Sequence, residues 1–91
     1  MKKSRKALSE PKTDEERVKQ GNSAEAVLSS PIFQEVFEKL EDRFISNWIS
    51  TAMEEKDKRE SQFMSLRVLS DIRLEFESMV NGGKIAARNS K

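Results

Sequence analysis

Between Pro31 and Val80 the apolar residues recur at three- and four-residue spacing in two runs, separated by a polar stretch where the stripe falls out of phase. In the first run Phe33, Val36, Phe37, Leu40, Phe44, Trp48, Ala52 and Met53 share one side of a helix. Ile32, Ile45 and Ile49 widen that face, while Glu35, Glu38, Glu41, Asp42 and Arg43 fall mostly opposite it. The second run restarts on a new phase at Leu66, Leu69, Ile72, Phe76, Met79 and Val80, led in by Phe63 and Met64. Extending the row of Phe33 and Leu40 in sevens meets Asn47, Glu54, Ser61, Val68 and Glu75, so a sustained apolar seam is not written in the chain. The pattern predicts an all-α fold, an antiparallel helical hairpin of two long helices over residues 31–53 and 57–81.

Local signals place the ends of these helices. Ser30-Pro31 offers an N-cap hydroxyl followed by a proline at the first helical position, where no amide partner is needed. Asp57-Lys58-Arg59-Glu60 has the spacing of a capping box and predicts the start of the second helix. Asn81-Gly82-Gly83 predicts its stop, through a glycine in the left-handed conformation. Before the hairpin, Asn22-Ser23-Ala24-Glu25 predicts a short helix over 23–29, ended by Ser29-Ser30-Pro31. Residues 1–22 hold Met1, Leu8 and Val18 as their large apolar residues, too few to offset the entropy of ordering, and are expected to form a disordered arm. Residues 82–91 read as a short basic tail.

Charge is segregated along the chain although the net value is +1. Residues 1–12 hold five Lys or Arg against one Glu, and residues 23–81 hold seven against twelve Asp or Glu. The tail adds Lys84, Arg88 and Lys91. Basic ends on an acidic body suit contact with phosphates, an acidic protein surface or another copy of the body. Lys2, Lys3, Arg5 and Lys6 are the candidate contact residues for DNA or an acidic partner, with an affinity expected to fall steeply with salt. No aromatic residue interleaves with them, which argues against base stacking on single strands.

The 91 residues contain no His, no Cys and no Tyr, which removes the usual triads, thiol chemistry and the common transition-metal sites. Carboxylates at i,i+1 and i,i+2, such as Glu41-Asp42 and Glu54-Glu55, point apart on a helix and lie among Lys and Arg. No glycine-rich phosphate loop is present. The reading is therefore non-enzymatic, with no catalytic residue, no metal and no cofactor. No apolar run reaches the length of a membrane span, and no apolar segment follows Met1-Lys2-Lys3 as in a secretion signal. A membrane partner is not expected. A lone two-helix core without disulfides is marginal, so self-association is the expected source of stability. Phe33, Phe37, Phe44, Trp48, Ile49, Leu69, Ile72 and Phe76 are the candidate oligomer or partner interface.

Over residues 24–86 the strings Ala-Glu-Ala-Val-Leu-Ser-Ser-Pro-Ile-Phe, Phe44-Ile45-Ser46-Asn47-Trp48-Ile49-Ser50-Thr51, Lys58-Arg59-Glu60 and Asn81-Gly82-Gly83-Lys84-Ile85-Ala86 resemble small helical proteins of tailed bacteriophages and prophages encoded near head and DNA-packaging genes. Small terminase subunits are a looser analogy, since they join a helical oligomerisation hairpin to DNA-binding ends. The resemblance implies an assembly protein of the virion or packaging apparatus, partnered by its own copies, by phage structural or packaging proteins and by DNA, in the host cytoplasm or the virion. A second function class is a small regulatory protein that inhibits a host enzyme through an exposed apolar helix face.

Overall fold

The computed structural model describes residues 13–89, and these are helical throughout except for short connections. Three helices occur in order: α1 over Asp14–Leu28, α2 over Pro31–Ile49 and α3 over Lys56–Asn89. No strand is present among the described residues. The chain divides into two compact units, one over Val27–Glu75 and one joining the chain up to Ala26 with Phe76 onward.

α1 is longer than its apolar content predicts, and it begins at Asp14 where the sequence reading has a disordered arm. The reason is a reciprocal capping box at its start. The Glu16 amide donates to Thr13 Oγ1 at 3.0 Å, and the Thr13 amide donates to Glu16 Oε1 at 3.1 Å. Asp14, Glu15 and Glu16 also place negative charge at the positive end of the helix. The arm reading for residues 1–12 lies outside the described residues.

α1 is anchored within its unit by small residues rather than by an apolar stripe. Gly21 and Ala24 of α1 are buried, as are Gly83 and Ala86 of α3. A Cβ built on Gly21 would stand 2.9 Å from the Met79 carbonyl oxygen and 3.0 Å from Gly83 Cα; one on Gly83 would stand 3.0 Å from the Arg17 carbonyl oxygen. The two backbones thus touch where side chains would hold them apart. This explains why α3 runs through Gly82-Gly83 to Asn89 instead of stopping there. No glycine takes a positive φ, so the left-handed stop expected at residue 82 does not form, and residues 82–89 are helix rather than tail. A helical glycine costs about 1 kcal/mol relative to alanine, and the close crossing offsets that cost at Gly83.

α2 begins as expected, with the Phe33 amide donating to Ser30 Oγ at 3.4 Å and Pro31 at the first position. It ends at Ile49, four residues before the predicted Met53. Ser50 Oγ donates to the Asn47 carbonyl at 3.1 Å and Thr51 Oγ1 to the Trp48 carbonyl at 2.7 Å, drawing off acceptors that a further turn would use. α3 starts at Lys56, with Glu55 before it, so Asp57 lies inside the first turn and does not cap it.

A candidate interaction surface on the Val27–Glu75 unit

Within the Val27–Glu75 unit the inward row of α2 is Phe33, Phe37, Leu40 and Phe44, and that of α3 is Gln62, Leu66, Leu69 and Arg73, each at heptad spacing. Phe37 and Leu69 are the buried members, at 6% exposure each, and they form the core of this unit. The Phe33 and Phe37 rings stack tilted with centroids 4.4 Å apart. Arg73 lays its guanidinium 5.0 Å from the centre of the Phe37 ring and reaches Glu41 at 3.9 Å. That position of the inward row carries a cation instead of an aliphatic side chain.

Beside this core lies an open groove of about 460 Å³, where Leu40 and Phe44 of α2 meet Met64, Val68, Leu69 and Ile72 of α3. Its walls are almost wholly apolar, with Ser61 and Ser65 as the hydroxyl-bearing lining residues. Of the sequence-predicted interface residues, Phe44, Leu69 and Ile72 converge here. Trp48 and Ile49 sit apart, at the end of α2, 42% and 70% exposed. Phe33 is half-buried beside Phe37, and Phe76 is half-buried in the other unit. Lys2, Lys3, Arg5 and Lys6 lie outside the described residues. Met64 and Val68 were not among the predicted interface residues. Their signal was present as the i,i+4 row of Met64, Val68 and Ile72, which lies to one side of the stronger row through Leu66 and Leu69.

The connection between α2 and α3 is stitched at Ala52. The Ala52 amide donates to Glu55 Oε1 at 2.9 Å, and the Ala52 carbonyl accepts from the Glu55 amide at 2.9 Å and from Arg59 Nη1 at 3.1 Å. Lys58 Nζ holds the other Glu55 oxygen at 3.0 Å. The Ala52 amide first, and the Lys58 ammonium second, hold the Glu55 carboxyl below its ordinary value. Met53 projects from this connection at 88% exposure.

Among the described residues no group of three or more Asp or Glu converges as metal ligands would, and no helix is long and apolar enough to cross a membrane. No protein-family model, curated protein or solved structure matches the chain.

Proposed function

We propose that this chain is a non-enzymatic helical assembly protein, in which α2 and α3 form an antiparallel hairpin that self-associates through its apolar face while the basic ends engage DNA or an acidic partner. The observation that carries this reading is the imbalance of the Val27–Glu75 unit. Phe37 and Leu69 are its buried large hydrophobics, whereas Ile32, Ile49, Met53, Met64, Val68 and Leu74 are each more than half exposed. Met64 and Val68 lie together, lining the apolar groove with Leu40, Phe44 and Ile72, and contiguous patches of this kind mark protein–protein contact surfaces in soluble proteins. The sequence resemblance supplies the setting, a tailed-phage virion or DNA-packaging apparatus, in the host cytoplasm or the particle.

The test is solution mass by light scattering across protein concentration at low and moderate salt. A defined oligomer supports the reading. A monomer under every condition overturns it, and stoichiometric capture of one host enzyme by that monomer would establish the regulatory inhibitor instead. The basic ends are tested separately, by a DNA mobility shift that weakens on neutralising Lys2, Lys3, Arg5 and Lys6 together.

A further inference from the structure

The lateral face of the Val27–Glu75 unit says what its occupant looks like, granted the self-association proposed above. Each helix carries a second apolar row beside the one used inside the chain. In α2 it is Ile32 and Val36, 65% and 45% exposed; in α3 it is Met64, Val68 and Ile72, 58%, 55% and 43% exposed. These rows lie roughly a quarter to a third of a turn round each helix from Phe37 and Leu69. Met64, Val68 and Ile72 of the α3 row line the groove together with Leu40 and Phe44 of α2, while Ile32 and Val36 lie along α2 outside its lining. Two apolar rows so placed are what a helix in a four-helix bundle presents, one to each neighbour. The exposed side chains of this face offer on the order of 500 Å² of apolar surface, which is about what a standard interface of ~800 Å² per partner contains.

Charge selects the arrangement. Seven residues on from Ile32 and Val36 the same row of α2 carries Lys39 and Arg43, whereas the row of Met64 and Val68 on α3 carries Asp57 before it and Asp71 and Glu75 after it. Glu35, tied to Lys39 at 3.4 Å, and Arg67 lie further round. If α2 packed on the partner's α2, basic edge would meet basic edge and acidic would meet acidic. A two-fold axis running along the hairpin instead puts α2 on the partner's α3, and opposite signs meet along both seams. We infer that the groove is filled by a second copy of this chain, bound two-fold with α2 against the partner's α3, closing a four-helix bundle.

The experiment uses two variants of the full chain, Lys39→Glu with Arg43→Glu, and Asp71→Lys with Glu75→Lys. Solution mass and helicity are measured for each alone and for an equimolar mixture. Each variant alone turns attractive edges repulsive in both seams and is expected to raise the dimer dissociation constant by about tenfold or more at low salt. The mixture pairs reversed α2 with reversed α3 and is expected to recover the dimer, which also shows that both variants retain their fold. Variants that dimerise as tightly as the unaltered chain, or a mixture that stays monomeric, overturn the pairing while leaving self-association standing. An unaltered chain that is itself monomeric removes both.

Discussion

Gly82 and Gly83 are neighbours in one helix, and the structure assigns them opposite responses to the same change. A Cβ on Gly82 meets nothing within 4 Å. Gly82→Ala should therefore register helix propensity alone and stabilise by about 0.5–1 kcal/mol. A Cβ on Gly83 would stand 3.0 Å from the Arg17 carbonyl oxygen and 3.1 Å from Gly21 Cα. Both are backbone atoms of α1, so no rotamer change relieves the contact and the helix itself must shift. Overpacking of this sort costs about 1–3 kcal/mol, which exceeds the propensity gain. Gly21→Ala meets the same obstacle from the other side, at 2.9 Å from the Met79 carbonyl oxygen.

The readout is the difference between Gly82→Ala and Gly83→Ala, about 1–3 kcal/mol, in thermal unfolding followed by circular dichroism. A domain of this size shifts by roughly 4–8 °C per kcal/mol, so the two midpoints should separate by several degrees in opposite directions from the parent. Amide exchange of Val18 to Ala24 should accelerate in Gly83→Ala and Gly21→Ala and stay unchanged in Gly82→Ala. Equal shifts for the two neighbouring substitutions, or α1 amides indifferent to Gly83→Ala, would refute the small-residue crossing.

Thr13→Ala removes one half of the capping box and should destabilise α1 by about 1 kcal/mol, seen as faster exchange of its first-turn amides with little change in α3. Gln62 Oε1 is enclosed without a hydrogen-bond partner; Gln62→Met removes that polar atom and should raise the unfolding midpoint by a few degrees, corresponding to about 1 kcal/mol. Glu55 has its folded pKa lowered, so its contribution is present at neutral pH and is lost as pH falls through the acid range below the ordinary carboxylate value. Acidification should accordingly loosen the start of α3, and in Glu55→Gln the pH dependence of exchange at the Ala52 amide should flatten.

How much of this was legible in the sequence differs from element to element, for physical reasons. Ser30-Pro31 marks the start of α2 because capping is a local event, fully contained in the residues that perform it. α1 was half missed for the converse reason. Its capping box at Thr13 to Glu16 is equally local, but the helix lacks the apolar stripe that draws attention to a helix, and its anchor is a pair of small residues, Gly21 and Ala24, whose partners Gly83 and Ala86 are about sixty residues away. The shared Gly-x-x-Ala spacing in the two segments was the available signal. Read alone, Gly82-Gly83 is a stop; read with Gly21, it is a crossing. Periodicity likewise put Phe37 and Leu69 on inward rows and Trp48 and Ile49 on the same broad face. It cannot report how much of that face the facing helix covers, and Trp48 and Ile49 remain exposed.

The composition of the α3 seam connects stability to the proposed association. At heptad spacing it reads Gln62, Leu66, Leu69, Arg73, Phe76, Val80 and Gly83, so three of its seven positions lack an aliphatic or aromatic side chain. An enclosed amide, a cation over Phe37 and a bare backbone hold the geometry but contribute little burial. The residues that would supply burial, Met64, Val68 and Ile72, stand one row to the side, 58%, 55% and 43% exposed. If a second copy covers them as proposed, the fold gains stability by mass action, as RT ln(1 + [L]/Kd) with that copy as ligand. Its unfolding midpoint should climb with protein concentration. A substitution on the lateral face then shifts midpoint and solution mass together, whereas one at the Gly21–Gly83 crossing shifts the midpoint by the same increment at every concentration. That separation tests whether the lateral face of α3 is an interface, with the Gly21–Gly83 crossing of the same helix as the core control.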